Sequence, residues 1–264
     1  MRPLAAITLL LAVSAAGAQA PRAYSYDFRL DPGGKKDQEV IHGTVRVSGS
    51  RARVDTDERD KGGDYLLVAD GGRTVYVVHA DKKTYEQHDA DDFARVVGTA
   101  LRAVGPVVKF SVRDVRLDTA RLGAGAAVAG HRTERVQVRQ HWRTSIRVMG
   151  FTKDDMTGSA VSEYWTDPTM PLMRNPLLDI ISTSLLALAA SDADFLAQGD
   201  AARAKLFRGS PLRADIRMTM GGDDGDGDTR LLYEVTSIRL GAVNEADLEV
   251  PKGFRRTSEH SFRM

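Results

Sequence analysis

The chain has 264 residues, with 37 Lys and Arg against 36 Asp and Glu, a formal charge of +1. That neutral balance argues against a nucleic-acid binder, whose affinity needs a basic excess for the phosphate backbone. There is no cysteine, which removes disulfides, thiol nucleophiles, cysteine metal sites and the lipid-anchoring cysteine of a lipoprotein. Stability must come from a packed core.

The first residues read as an export signal. "MRP" supplies a positive start and "LAAITLLLAVSAAGA" an apolar stretch, followed by small residues at the spacing of a signal-peptidase site. Cleavage after Ala18 is favoured over Ala20, which would place Pro21 just past the scissile bond. An uncleaved anchor needs about 18 or more apolar residues, and this run grades into Ser, Gly and Gln before that. The expectation is a leader over 1–18 and one domain over 19–264, located in the periplasm, with no transmembrane segment in the mature chain.

Period-two alternation dominates the chain beyond the leader. "YSYDFRLD" sets Tyr24, Tyr26, Phe28 and Leu30 on one face and Ser25, Asp27, Arg29 and Asp31 on the other. "VIHGTVRVSG", "RARVDTD" and "DYLLVADGGRTVYVVHADKKTYEQHD" continue as a meander, with "ADGG" and "ADKK" as its turns. Helical spacing then replaces alternation. From Asp91, "DDFARVVGTALRAVG" aligns Phe93, Val97 and Leu101 on one stripe, ended by Gly105-Pro106. "VVKFSVRDVRLD" returns to strand, and "RLGAGAAVAG" reads as a loop. "HRTERVQVRQHWRTSIRVMG" and "GSAVSEYWTD" are strands joined around "FTKDDMTG". A second helical region, about 175–207, places Leu178, Ile181 and Leu185 at helical spacing. "LRADIRMTMG" and "TRLLYEVTSIRLG" are the final strands, and the chain closes with "LEVPKGFRRT".

"GGDDGDGDT", Gly221 to Thr229, invites a calcium reading because Asp224, Asp226 and Asp228 match the first ligand offsets of an EF-hand. The loop lacks glycine at the sixth place, glutamate at the twelfth and flanking helices. It reads as a hairpin tip, where Asp and Gly suit the backbone. His131, Glu134 and His141 suggest a metal or acid–base group. On a regular strand, however, the two histidines would stand about 33 Å apart. His79 and His88 flank the "ADKKTYEQ" turn and could approach one another, though turn-proximal polar residues are the simpler account. No nucleophile elbow, P-loop or dinucleotide fingerprint is present. The expectation is no catalytic residue, no metal and no cofactor.

Several segments resemble a group of secreted bacterial proteins of the LolA/LolB-like lipoprotein-carrier superfamily. These are the meander ending in Lys83-Thr84-Tyr85, the strand "GHRTERVQV", the Tyr-Trp strand end "SEYWTDPTMPL" and the closing "LEVPKGF". The resemblance implies an α+β fold, a curved antiparallel half-barrel whose helices cover the concave face; the helical insertion about 175–207 is a departure from the simplest carriers. It implies a periplasmic, non-enzymatic carrier for a hydrophobic ligand: a lipid, an acyl chain or a lipidated protein. The lid facing that ligand would be Phe93, Val97, Leu101, Leu178, Ile181 and Leu185. The methionines at 149, 156, 170, 173, 218 and 220 suit an adaptable apolar pocket. The alternative is an envelope interaction or sensor domain without lipid cargo, with a protein partner on the sheet; a hydrolase or calcium-dependent module is the third reading.

Overall fold

The computed structural model describes residues 23–33, 39–57, 63–89, 93, 108–148, 151–170, 176, 205–221 and 227–257. Their strands are β1 (Ala23–Asp31), β2 (Ile41–Ser48), β3 (Arg51–Thr56), β4 (Tyr65–Ala69), β5 (Thr74–His79) and β6 (Thr84–Asp89). Three long strands come next, β7 (Val108–Ala124), β8 (Glu134–Val148) and β9 (Phe151–Asp167). β10 (Ser210–Gly221), β11 (Gly227–Leu240) and the two-residue β12 (Arg255–Arg256) complete the set. All twelve form one open sheet in the order β12-β6-β5-β4-β3-β2-β1-β11-β10-β9-β8-β7. Every pairing is antiparallel except β12 with β6.

The expected α+β half-barrel with helices over one face is corrected to an all-β sheet, open at both ends. Among the described residues the helical elements with ranges are two 3-10 turns, Asp70–Gly72 and Glu245–Leu248, and Phe93, Pro176, Lys205 and Leu206 are further helical positions. The expected covers over 91–105 and 175–207 lie outside the described residues, apart from Phe93, Pro176 and Lys205–Phe207. The reason for the change of class is the extent of strand pairing. β7 runs through Ala124, so the start of "RLGAGAAVAG" is strand, and β9 begins at Phe151, so "FTKDDMTG" is strand too. No helix among the described residues is long and apolar enough to cross a membrane.

β1 lies in the middle and pairs with both β2 and β11. Its alternation therefore sets the faces for both halves. On one side the register carries Tyr26 to Val45, Val54, Leu66 and Val77 in turn. On the other, Leu30 faces Tyr233, and from there the row runs to Ala214, Tyr164 and Val136. Tyr26, Phe28, Val45, Tyr233 and Ala214 are 0–1% exposed, which makes this face the core. Full burial of a side chain the size of Val or Phe is worth about 1.5–3 kcal/mol.

Two devices keep the rows aligned. A bulge opposite Asp27/Phe28 lets Ile238 and Val235, of opposite parity, both face the core. Gly43, opposite Phe28, lets that ring lie flat on β2; a Cβ there would sit 2.6 Å from the ring and 2.2 Å from the Asp55 carbonyl.

The other face of β4–β6 is covered by the C-terminal segment. Arg51 holds Glu245 and Glu249 at 2.6 and 2.5 Å. Val250 and Phe254 then pack against the cluster of Tyr65, Leu67 and Val78, with Tyr76 and Tyr85 beside it. The Arg255 N–H donates to the Lys83 carbonyl (3.0 Å) and the Thr257 N–H to that of Tyr85 (2.9 Å). The Lys-Thr-Tyr ending and the closing Val-Pro-Lys-Gly-Phe, far apart in sequence, thus form one strap.

Gly43→Ala should lower the unfolding free energy by about 1–3 kcal/mol, an overpacking cost, read from the urea midpoint. Phe254→Ala should cost about 2 kcal/mol or more through lost packing. It should also raise hydrogen exchange at the Thr257 amide ahead of the central strands.

Candidate functional site

Of the six expected lid residues, the structure describes Phe93. It is 1% exposed and packs against Val75 and Val77, with Leu66 beside them. Val97, Leu101, Leu178, Ile181 and Leu185 lie outside the described residues. The apolar face also receives Val128, Met170 and Leu206 from outside the strands, and Phe207 stands edge-on to Tyr164 at 4.9 Å. Arg121 reaches over the β8 side of this face and donates to the carbonyls of Lys205 and Leu206 at 3.2 and 3.1 Å. Met218 packs against the same cluster.

At the β6 end the apolar face carries a chain of titratable groups. Asp64 Oδ2 lies 2.8 Å from His79 Nδ1, His79 Nε2 lies 3.3 Å from Glu86 Oε1, and Glu86 Oε2 lies 3.0 Å from His88 Nε2. The His79 and Glu86 side chains are 4% and 3% exposed, whereas Asp64 reaches solvent at 40%. A buried carboxylate needs donors and a buried imidazole needs partners at both nitrogens; the chain satisfies both. The His88 ring lies 5.7 Å from that of Phe93. His79 and His88 do come together, and the glutamate between them does not stand out in the sequence. The turn Ala80–Lys83 is a usable signal for it: closing that turn pairs His79 with Thr84, Val77 with Glu86 and Val75 with His88, all on one face.

The other suspected constellation does not assemble. His131 Nδ1 lies 2.9 Å from Asp167 Oδ2 in the turn region beside β9. Glu134 lies 3.8 Å from Arg121, and His141 stands seven residues along β8, about 23 Å away. Burial alone would raise the Asp167 carboxyl. Donation from the Thr169 hydroxyl and amide and from His131 outweighs it, and the group is held below its ordinary value. Among the described residues there is no group of three or more His, Cys, Asp or Glu arranged to hold a metal ion. "GGDDGDGDT" joins β10 to β11, with Met220 opposite Gly227, so it is a hairpin connection; residues 222–226 lie outside the described residues.

The second face of the sheet is charged, and its strand charges are mostly paired. Asp27 accepts from Arg239 (2.7 Å), Ser237 (2.6 Å) and Thr44 (2.9 Å). The Arg239 guanidinium above all holds its carboxyl well below the usual carboxylate range, against a smaller opposing effect of burial. Asp215, 8% exposed at the side chain, is gripped by Arg230 and Arg217 at 2.8 and 3.2 Å. Burial would raise its carboxyl, and these two arginines lower it. Asp55 binds Arg46 and Arg53, both at 2.6 Å. Trp165 lies under the Arg213 guanidinium, 4.7 Å from ring centre to Cζ.

A groove of about 780 Å³ opens where this pairing thins out, across β7–β9. Asp114, Arg116, Asp118, His141, Trp142 and Arg143 line it, with Thr157 and Gly158 from β9. A bulge puts Asp114 and Val115 opposite the single residue Trp142, with Asp114 at φ 54°. Gly158 leaves room for the indole, since a Cβ there would meet it at 2.3 Å. Apart from His141, none of these residues stands out in the sequence, because neither a bulge nor a groove has a local signature. Neither family models nor curated proteins yield a match to this chain.

The depressed carboxyls set an acid limit. Asp27, Asp167 and Asp215 have lower values folded than unfolded, so their contribution is present above about pH 4, the unfolded value. It is lost as pH falls below that. Asp215→Asn should lower the urea midpoint at pH 7 and flatten its further fall between about pH 4 and 2; an unchanged slope would refute the assignment.

Proposed function

We propose that this chain is an exported, non-enzymatic binding protein of the envelope that carries a hydrophobic ligand, either a lipid, an acyl chain or a lipidated protein. The observation that carries the reading is the continuity of the apolar face, which runs without a charged interruption from Val77 on β5 through Tyr26 on β1 to Val136 on β8. Phe93 from outside the sheet packs on it at one end and Leu206 and Phe207 at the other. Such a layer takes an acyl chain with no polar motif, since each buried CH₂ contributes about 0.8 kcal/mol. Phe93, Val97, Leu101, Leu178, Ile181 and Leu185 are the residues proposed to close over the ligand. The order of the Lys-Thr-Tyr, Tyr-Trp and Val-Pro-Lys-Gly-Phe segments supports kinship with the lipoprotein-carrier group.

The competing reading is an envelope interaction domain without cargo. It is favoured by the tight burial at the centre of the face, where Tyr26, Phe28, Val45 and Tyr233 are at most 1% exposed.

Organic extraction of the protein purified from its native envelope, followed by mass spectrometry, separates the two. A stoichiometric lipid or acylated peptide is the expected result, and Phe93→Asp should lose it while export continues. An empty protein that also takes up no added lipid would transfer the assignment to the interaction domain.

A further inference from the structure

We propose that the groove on β7–β9 binds a phosphate ester of an amino alcohol, with the phosphate at Arg116 and Arg143 and the ammonium at Asp118. Arg116, Asp118, His141 and Arg143 lie on the charged face, so the site does not rest on the carrier reading, while Trp142 and Gly158, which alternate with His141 and Thr157, have the parity of Val136 and Tyr164 on the apolar face. The register sets Arg116 directly opposite His141. Arg143, two residues further along β8, projects to the same face. The groups therefore converge from two adjacent strands.

These charges differ from the tightly paired carboxylates of the face. Asp27, Asp55 and Asp215 each hold one or two arginines at 2.6–3.2 Å. No side-chain hydrogen bond or ion pair joins Arg116, Asp118 or His141 to another described residue. Arg143 has only a long contact to Asp114, at 3.8 Å with both side chains about 60% exposed. An exposed pair of that kind contributes little and leaves the guanidinium able to turn to a ligand. Two guanidiniums present forked donors that match phosphate oxygens bidentately, and the His141 ring and Thr157 hydroxyl add donors at the same wall. Asp118 lies two residues beyond Arg116, about 7 Å along the strand. It repels a bare dianion and attracts a cation at that end. A phosphate with an ammonium a few ångströms away satisfies both ends.

The chain has two tryptophans, and one of them lines the groove. In a Trp165→Phe variant, Trp142 is the remaining tryptophan, and its fluorescence reports on the groove that it lines. Titration with phosphoethanolamine and with vesicles of phosphatidylethanolamine in phosphatidylcholine should give a saturable change, checked by calorimetry on the unsubstituted protein. A response to the soluble probe identifies a free ester, and a response to vesicles alone identifies a lipid headgroup; either sustains the site. Arg116→Gln with Arg143→Gln should weaken binding about tenfold or more, as loss of charge-assisted hydrogen bonds does. Arg217→Gln, on the same face but engaged by Asp215, should change it little. Asp118→Asn should erase the preference over glycerol 3-phosphate. Absence of saturation with both probes, or binding indifferent to the arginine pair, would overturn the proposal. Equal binding of glycerol 3-phosphate by the unsubstituted protein would overturn its ammonium half.

Discussion

The structure depends on the pairing of β1 with strands from both ends of the chain. β2 to β6 form a meander on one side of it, and β11 back to β7 form another on the other side. Neither meander buries its apolar face without the other, because the aromatic row Tyr24, Tyr26, Phe28 contributes to both. A slip of one residue at β1 would turn every inward side chain outward. The bulge beside Asp27 guards that register, and so does the clamp of Arg239, Ser237 and Thr44 on the Asp27 carboxylate from both neighbouring strands. The hydrophobic rows supply the energy, and the buried and half-buried ion pairs on the reverse face hold them in alignment.

An open sheet must also protect its edges. At one end the two-residue β12 covers β6 and shows two arginines to solvent, while the segment leading to it seals a second small core behind β4–β6. At the other end β7 is long, broken by irregularities near Arg113 and Arg121, and charged along its exposed side. Bulges and charges of this kind deter pairing with another chain. The bulge that blunts the edge near Arg113 also shapes the groove, so edge protection and a binding surface share one backbone feature.

The two faces divide the work between different physical terms. The inner face is driven by removal of apolar area from water and is insensitive to pH. The outer face is an array of carboxylates and guanidiniums whose contribution disappears in acid. The buried series of Asp64, His79, Glu86 and His88 is the exception, a polar chain at the margin of the apolar face, brought together by the register of β5 and β6.

Alternation alone determined the strands of the first meander, the inward set Tyr24, Tyr26, Phe28, Val45 and Val47, and the hairpin at "GGDDGDGDT", because side-chain period and turn chemistry are local properties. Only the tertiary structure decided that β7 and β9 run on through segments that look like loop, that the strands join in a single open sheet, and that Lys83-Thr84-Tyr85 meets the C-terminal strap. It also decided that Glu86 stands between two histidines, and that Arg116, Asp118, His141 and Arg143 surround one groove. Each of these depends on which strand lies beside which. That choice is made by long-range pairing and bulges, to which no window of sequence is sensitive.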